Sequence, residues 1–94
     1  MEDPANYGRV HERIKKLWEE GLYVPHAQDR MRKRKVEDTD VQYLIKTGRI
    51  VEHHKPGDFW RYRLEGTSVD GKKVACVVEI NDALKVITVM RPRR

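Results

Sequence analysis

Apolar residues recur at helical spacing in the first half of the chain and alternate in the second. Val10, Ile14, Leu17 and Trp18 fall at i, i+4, i+7 and i+8, one stripe of a helix, and Gly21 follows as a stop. The spacing predicts a helix over 9–20. Residues 1–8 contain Pro4 and Gly8 without an apolar period and read as a disordered N-terminal segment, leaving 9–94 as one domain. Pro25 suits the first turn of a second helix over 25–34, with Ala27 and Met31 as its apolar side. A third helix is predicted over 39–47, capped by Asp38 or Thr39, with Val41, Leu44 and Ile45 facing inward and Gly48 ending it.

After Gly48 the period becomes two. Strands are predicted over 49–54, 59–65, 72–80 and 84–90, separated by the turn signals Pro56-Gly57-Asp58, Asp70-Gly71 and Asn81-Asp82. In the second strand Trp60, Tyr62 and Leu64 share one side, and Phe59, Arg61, Arg63 and Glu65 the other. In the third, Val74, Cys76, Val78 and Ile80 share a side. Connections this short give an antiparallel meander. Helices first and strands second make an α+β fold, with N-terminal helices packed on one face of a C-terminal four-stranded antiparallel sheet.

Composition narrows the function. At 94 residues there is one core and no room for a deep cofactor cavity. Apolar residues are 38% and charged residues 37%, a balance that leans toward disorder, but a disordered chain has no reason to alternate. Twenty Lys and Arg against fifteen Asp and Glu leave a net charge of +5, which attracts polyanions, RNA foremost, or an acidic partner protein. No apolar run approaches a membrane span and no signal-peptide pattern opens the chain, so no membrane partner is expected. The one cysteine, Cys76, excludes an intramolecular disulfide framework and a Cys-rich zinc module, and fits a reducing cytoplasm. GxGxxG, Walker, GxSxG and HExxH patterns are all absent, so no cofactor is expected.

Two groups of residues suit phosphodiester chemistry. His26, Arg30 and Arg34 lie at i, i+4 and i+8 of the predicted second helix and so share a side. Guanidiniums hold phosphate oxygens in bidentate fashion, and an imidazole exchanges a proton near neutral pH. The bland reading is a solvated basic helix face, which also fits Arg32, Lys33 and Lys35. The second group is the polar side of the sheet: Arg61 and Arg63, joined by Lys73, Lys85 and Arg91 if the register allows. Mixed charge there also serves solubility alone. Tyr62 points the other way unless a bulge turns it, and Trp60 is better suited to the core than to base stacking. His53 and His54 are adjacent strand residues that point to opposite faces, so no metal site is expected from them with Cys76; they read as strand-end residues with a minor claim to acid–base work.

The run Pro25-His26-Ala27, then Arg30-Met31 and Arg34, reads H-A-x-x-R-M-x-x-R, followed by a helix, a glycine, a Val/Ile-Glu strand and a terminal strand ending Ile87-Thr88-Val89. This resembles a bacterial family of uncharacterised function with the same pattern. It is also similar, from Arg9 to Arg91, to the MqsR-type toxins of the RelE/ParE-like superfamily. The resemblance implies a RelE-like α+β fold, metal-free endonucleolytic cleavage of messenger RNA, and an antitoxin protein as partner. Toxins of that superfamily act through basic residues and tyrosines at the sheet, which Tyr62 and Arg91 approach here.

Three readings fit: a toxin-like ribonuclease, a non-catalytic module binding RNA or an acidic partner, and a domain whose charge serves solubility. The ribonuclease is the reading adopted, with His26, Arg30, Tyr62 and Arg91 as catalytic residues and Arg34, Arg61, Arg63 and Lys73 as RNA contacts.

Overall fold

The computed structural model describes residues 4–21, 23–25 and 38–90. Helix α1 spans Tyr7–Glu19. It starts earlier than its apolar stripe predicts because the Asn6 side chain accepts a hydrogen bond from the Arg9 backbone N–H at 3.3 Å, satisfying a first-turn donor. Tyr7 and Gly8 are therefore helical, a correction to the disordered reading of residues 1–8. Strand β1, Tyr23–Pro25, follows. Helix α2 spans Asp38–Thr47, so Asp38 and Thr39 lie in its first turn. Strands β2, β3, β4 and β5 span Arg49–His54, Arg61–Thr67, Lys73–Ile80 and Leu84–Met90.

The α+β expectation holds: β2 to β5 form an antiparallel meander, and both helices pack against it. One strand is added, for the sheet order is β1-β5-β4-β3-β2, with β1 parallel to β5. Pro25, expected to open the second helix, instead ends this edge strand, where a missing N–H is tolerated. The rest of that predicted helix, with His26, Arg30 and Arg34, lies outside the described residues, as does Arg91.

The core is one cluster on the helix-bearing face. Val10, Ile14 and Leu17 of α1 and Val41, Leu44 and Ile45 of α2 cover Leu64, Val74, Cys76, Val78, Leu84, Val86 and Val89. Polar ties orient the helices. His11 Nε2 lies 2.6 Å from the Ile45 carbonyl, and Arg13 donates to the Asn81 carbonyl at 3.4 Å. At the end of α2 the backbones close up. A Cβ on Gly66 would stand 3.0 Å from the Gly48 Cα, so two glycines let α2 and β2 lie against β3.

Two bulges break the alternation. In β2 the register slips between Ile50 and Glu52, leaving Val51 over. Between β4 and β5 it slips at Val77/Val78, so Thr88 faces Val77 while Val86 faces Val78. Strict alternation from Ile50 would send His53 outward and His54 to the core. The bulge reverses this, and the consequence falls on the sheet face turned away from the helices.

Candidate functional site

The sheet face turned away from α1 and α2 is charged. Register places five cations there, Arg49, Arg61, Arg63, Lys73 and Lys85, among three carboxylates, Glu52, Glu65 and Glu79. The predicted grouping of Arg61, Arg63 and Lys73 on one face is thus what the pairing produces. Thr67, the partner of Lys73, is six residues along β3 from Arg61, so the cations extend over about 20 Å of strand.

These cations are not bare. Arg61 donates through Nε to Glu79 Oε2 at 2.9 Å, and Arg63 through Nε to Glu65 Oε2 at 2.8 Å. Arg63 also reaches the Met90 sulfur at 3.4 Å. The carboxylate engages Arg61 through Nε, and the terminal nitrogens of a guanidinium form a fork suited to phosphate oxygens. Lys73 sits farther along, in an open cleft of about 450 Å³ lined with Thr47, Arg49, Glu65, Gly66, Thr67 and Val74.

One row crosses the sheet at the end nearest the β2–β3 turn. His54 is the register partner of Arg61, Arg61 of Glu79, and Glu79 of Lys85. Imidazole, guanidinium, carboxylate and ammonium thus stand side by side on four neighbouring strands. His54 is exposed, while the Glu79 side chain is 14% and that of Arg61 32% exposed. Sequence reasoning gave His54 only a minor role, and Glu79 none. Alternation within β3 and β4 was a usable signal for Arg61 and Glu79, but the place of His54 depends on the bulge.

Tyr62 does not join this face. It is 3% exposed, on the core side, with its ring 6.2 Å from that of His53. Tyr62 and Arg61 stand on opposite faces, as the alternation predicts, because the pleat sends successive side chains to opposite faces. His53 also faces inward. Its Nδ1 lies 2.7 Å from the Tyr7 hydroxyl and its ring 5.2 Å from that of Trp60. Trp60, just before β3, packs against the core, as its alternation with Tyr62 predicts, with Lys55 Nζ 5.8 Å from its ring centroid.

Cys76 is fully buried, and burial pushes its thiol from the ordinary 9.0 up to about 12, with the Arg63 charge opposing weakly. Such a thiol is not a nucleophile at neutral pH. Among the described residues no three His, Cys, Asp or Glu side chains cluster as metal ligands, and no helix is long and apolar enough to cross a membrane.

Comparison with curated proteins and with solved structures finds no match. A family pattern does match, over residues 23–91, from β1 through the end of β5 and most of the chain. The chain belongs to that family, described as a domain of unknown function, DUF4258.

Proposed function

We propose that the protein is a toxin-like, metal-independent endoribonuclease that lays single-stranded RNA across the open sheet face. One observation carries this: Arg49, Arg61, Arg63, Lys73 and Lys85 stand on the sheet face that, among the described residues, no helix covers. Phosphates set along a strand need cations spread over several nucleotides, and this face offers them over about 20 Å. The resemblance to MqsR-type and RelE/ParE-like toxins, read from the order of residues alone, implies the reaction class, a cytoplasmic setting and an antitoxin protein as the partner that masks the face.

The route that requires no metal is attack by the RNA's own 2′-hydroxyl. Guanidiniums offset the charge that grows on the phosphate, and a base and an acid move the two protons. His26, Arg30, Arg34 and Arg91, which lie outside the described residues, are further candidate groups. The test incubates purified protein with a mixed-sequence RNA and its DNA counterpart, with and without EDTA. RNA is expected to be cut, DNA spared for lack of the attacking hydroxyl, and the rate indifferent to chelator. Intact RNA in every arm overturns the ribonuclease, and retained RNA binding in that case identifies a binding module.

A further inference from the structure

Building on the ribonuclease reading, we infer that His54 and Glu79 are the acid and base of the cleavage, flanking Arg61 in one cross-strand row. Three observations converge. His54, Arg61 and Glu79 are successive register partners on β2, β3 and β4. Arg61 and Glu79 are joined at 2.9 Å, which holds the carboxylate in place beside the guanidinium. All three stand on the face that carries the other cations, and His54 is exposed to solvent.

The spacing suits the reaction. His54 and Glu79 are two strands apart, about 9.5 Å between backbones. An in-line displacement places the attacking and leaving oxygens on opposite sides of phosphorus. With a hydrogen-bonded group at each end, the whole array spans about 9–10 Å. Side chains rising from those two strands approach a phosphate held over Arg61 from either side, Glu79 from its place 2.9 Å from Arg61 Nε.

Chemistry assigns the roles. An ionised carboxylate only accepts, so Glu79 takes the 2′-hydroxyl proton. The freed oxygen forms the O2′–P bond while the P–O5′ bond breaks and its electron pair leaves on O5′. His54, as imidazolium, protonates O5′. The products are a 2′,3′-cyclic phosphate and a 5′-hydroxyl end, and proton exchange with water resets both side chains. Arg61 bears the charge growing on the non-bridging oxygens, and Lys85, across from Glu79, meets a neighbouring phosphate.

The test compares the parent with His54→Ala and Glu79→Gln on a mixed-sequence RNA, after melting curves establish that each variant folds. Cleavage is expected to fall by roughly 100-fold or more in each variant. RNA binding is retained in both and tightens in Glu79→Gln, which loses a negative charge. The parent's products carry 2′,3′-cyclic phosphate ends. If the parent cuts RNA and either variant cuts within ten-fold of it, the pair is wrong while the ribonuclease reading stands, and His26 becomes the group to test. If the parent cuts no RNA, both the reading and the pair fall.

Discussion

The Tyr7 hydroxyl and Nδ1 of His53 lie 2.7 Å apart, and their bond ties α1 to β2. Tyr7 precedes the family-matched segment, which begins at residue 23, whereas His53 lies inside it. The rings also meet edge to face at 5.5 Å. The helix thus reaches the domain through a polar contact as well as through Val10, Ile14 and Leu17.

Tyr7→Phe keeps the ring contact and removes the hydroxyl. It should cost about 0.5–1.5 kcal/mol, a fall of several degrees in Tm at roughly 4–8 °C per kcal/mol for a domain this small. Ile14→Ala, at a position with no exposure, should cost about 2–5 kcal/mol. Thermal and urea melts check both. A Tm unchanged in Ile14→Ala would mean that α1 does not belong to the cooperative unit.

Gly48→Ala tests the close approach at the end of α2. Its Cβ would stand 2.5 Å from the Leu44 carbonyl oxygen and 3.0 Å from that of Glu65, both backbone atoms that cannot swing aside. Overpacking of this kind should cost about 1–3 kcal/mol, read as a lower urea midpoint at unchanged m.

Cys76 makes stability depend on pH in the alkaline range. Its thiol titrates near 9.0 when unfolded and at about 12 when buried. A raised folded value means that the contribution is fully present below pH 9 and is lost as pH rises toward 12. Urea melts of the parent should weaken across that window, and Cys76→Ala, less stable at neutral pH, should show a flatter decline. A thiol reagent at pH 8 should label the unfolded chain and spare the folded one.

RNA affinity should carry the signature of the charged face. If about three phosphates are neutralised, log affinity falls with log salt at a slope of about −2 for a single strand. Arg61→Ala or Arg63→Ala should flatten the slope by a fraction of a unit. Glu65→Gln, which releases Arg63 from its carboxylate partner, should tighten binding at low salt. Fluorescence anisotropy with a labelled single-stranded RNA reads all of these, and a salt-independent affinity would remove the electrostatic basis of the interface.

Short-range periodicity was sufficient for much of this molecule. Val10, Ile14 and Leu17, then Val41, Leu44 and Ile45, are buried as their helical spacing predicts. Val74, Cys76 and Val78 share the core face, and Arg61 and Arg63 stand opposite Tyr62 and Leu64. These placements follow from 3.6 residues per turn or from a period of two, properties a few neighbouring residues carry by themselves.

What periodicity could not supply is who stands beside whom. Strand β1 pairs with β5 from the far end of the chain, and its three residues carry no period of their own. The connection from His54 to Arg61 leaves those two residues as partners, a register that loop conformation decides rather than composition. The bulge at Val51 exchanges the faces of His53 and His54, sending one to Tyr7 in the core and the other to Arg61 on the open face. The sequence alone determined which side chains alternate. The packed sheet decided where the alternation slips, because a strand adopts the register that buries its apolar face, and one extra residue reverses every side chain beyond it.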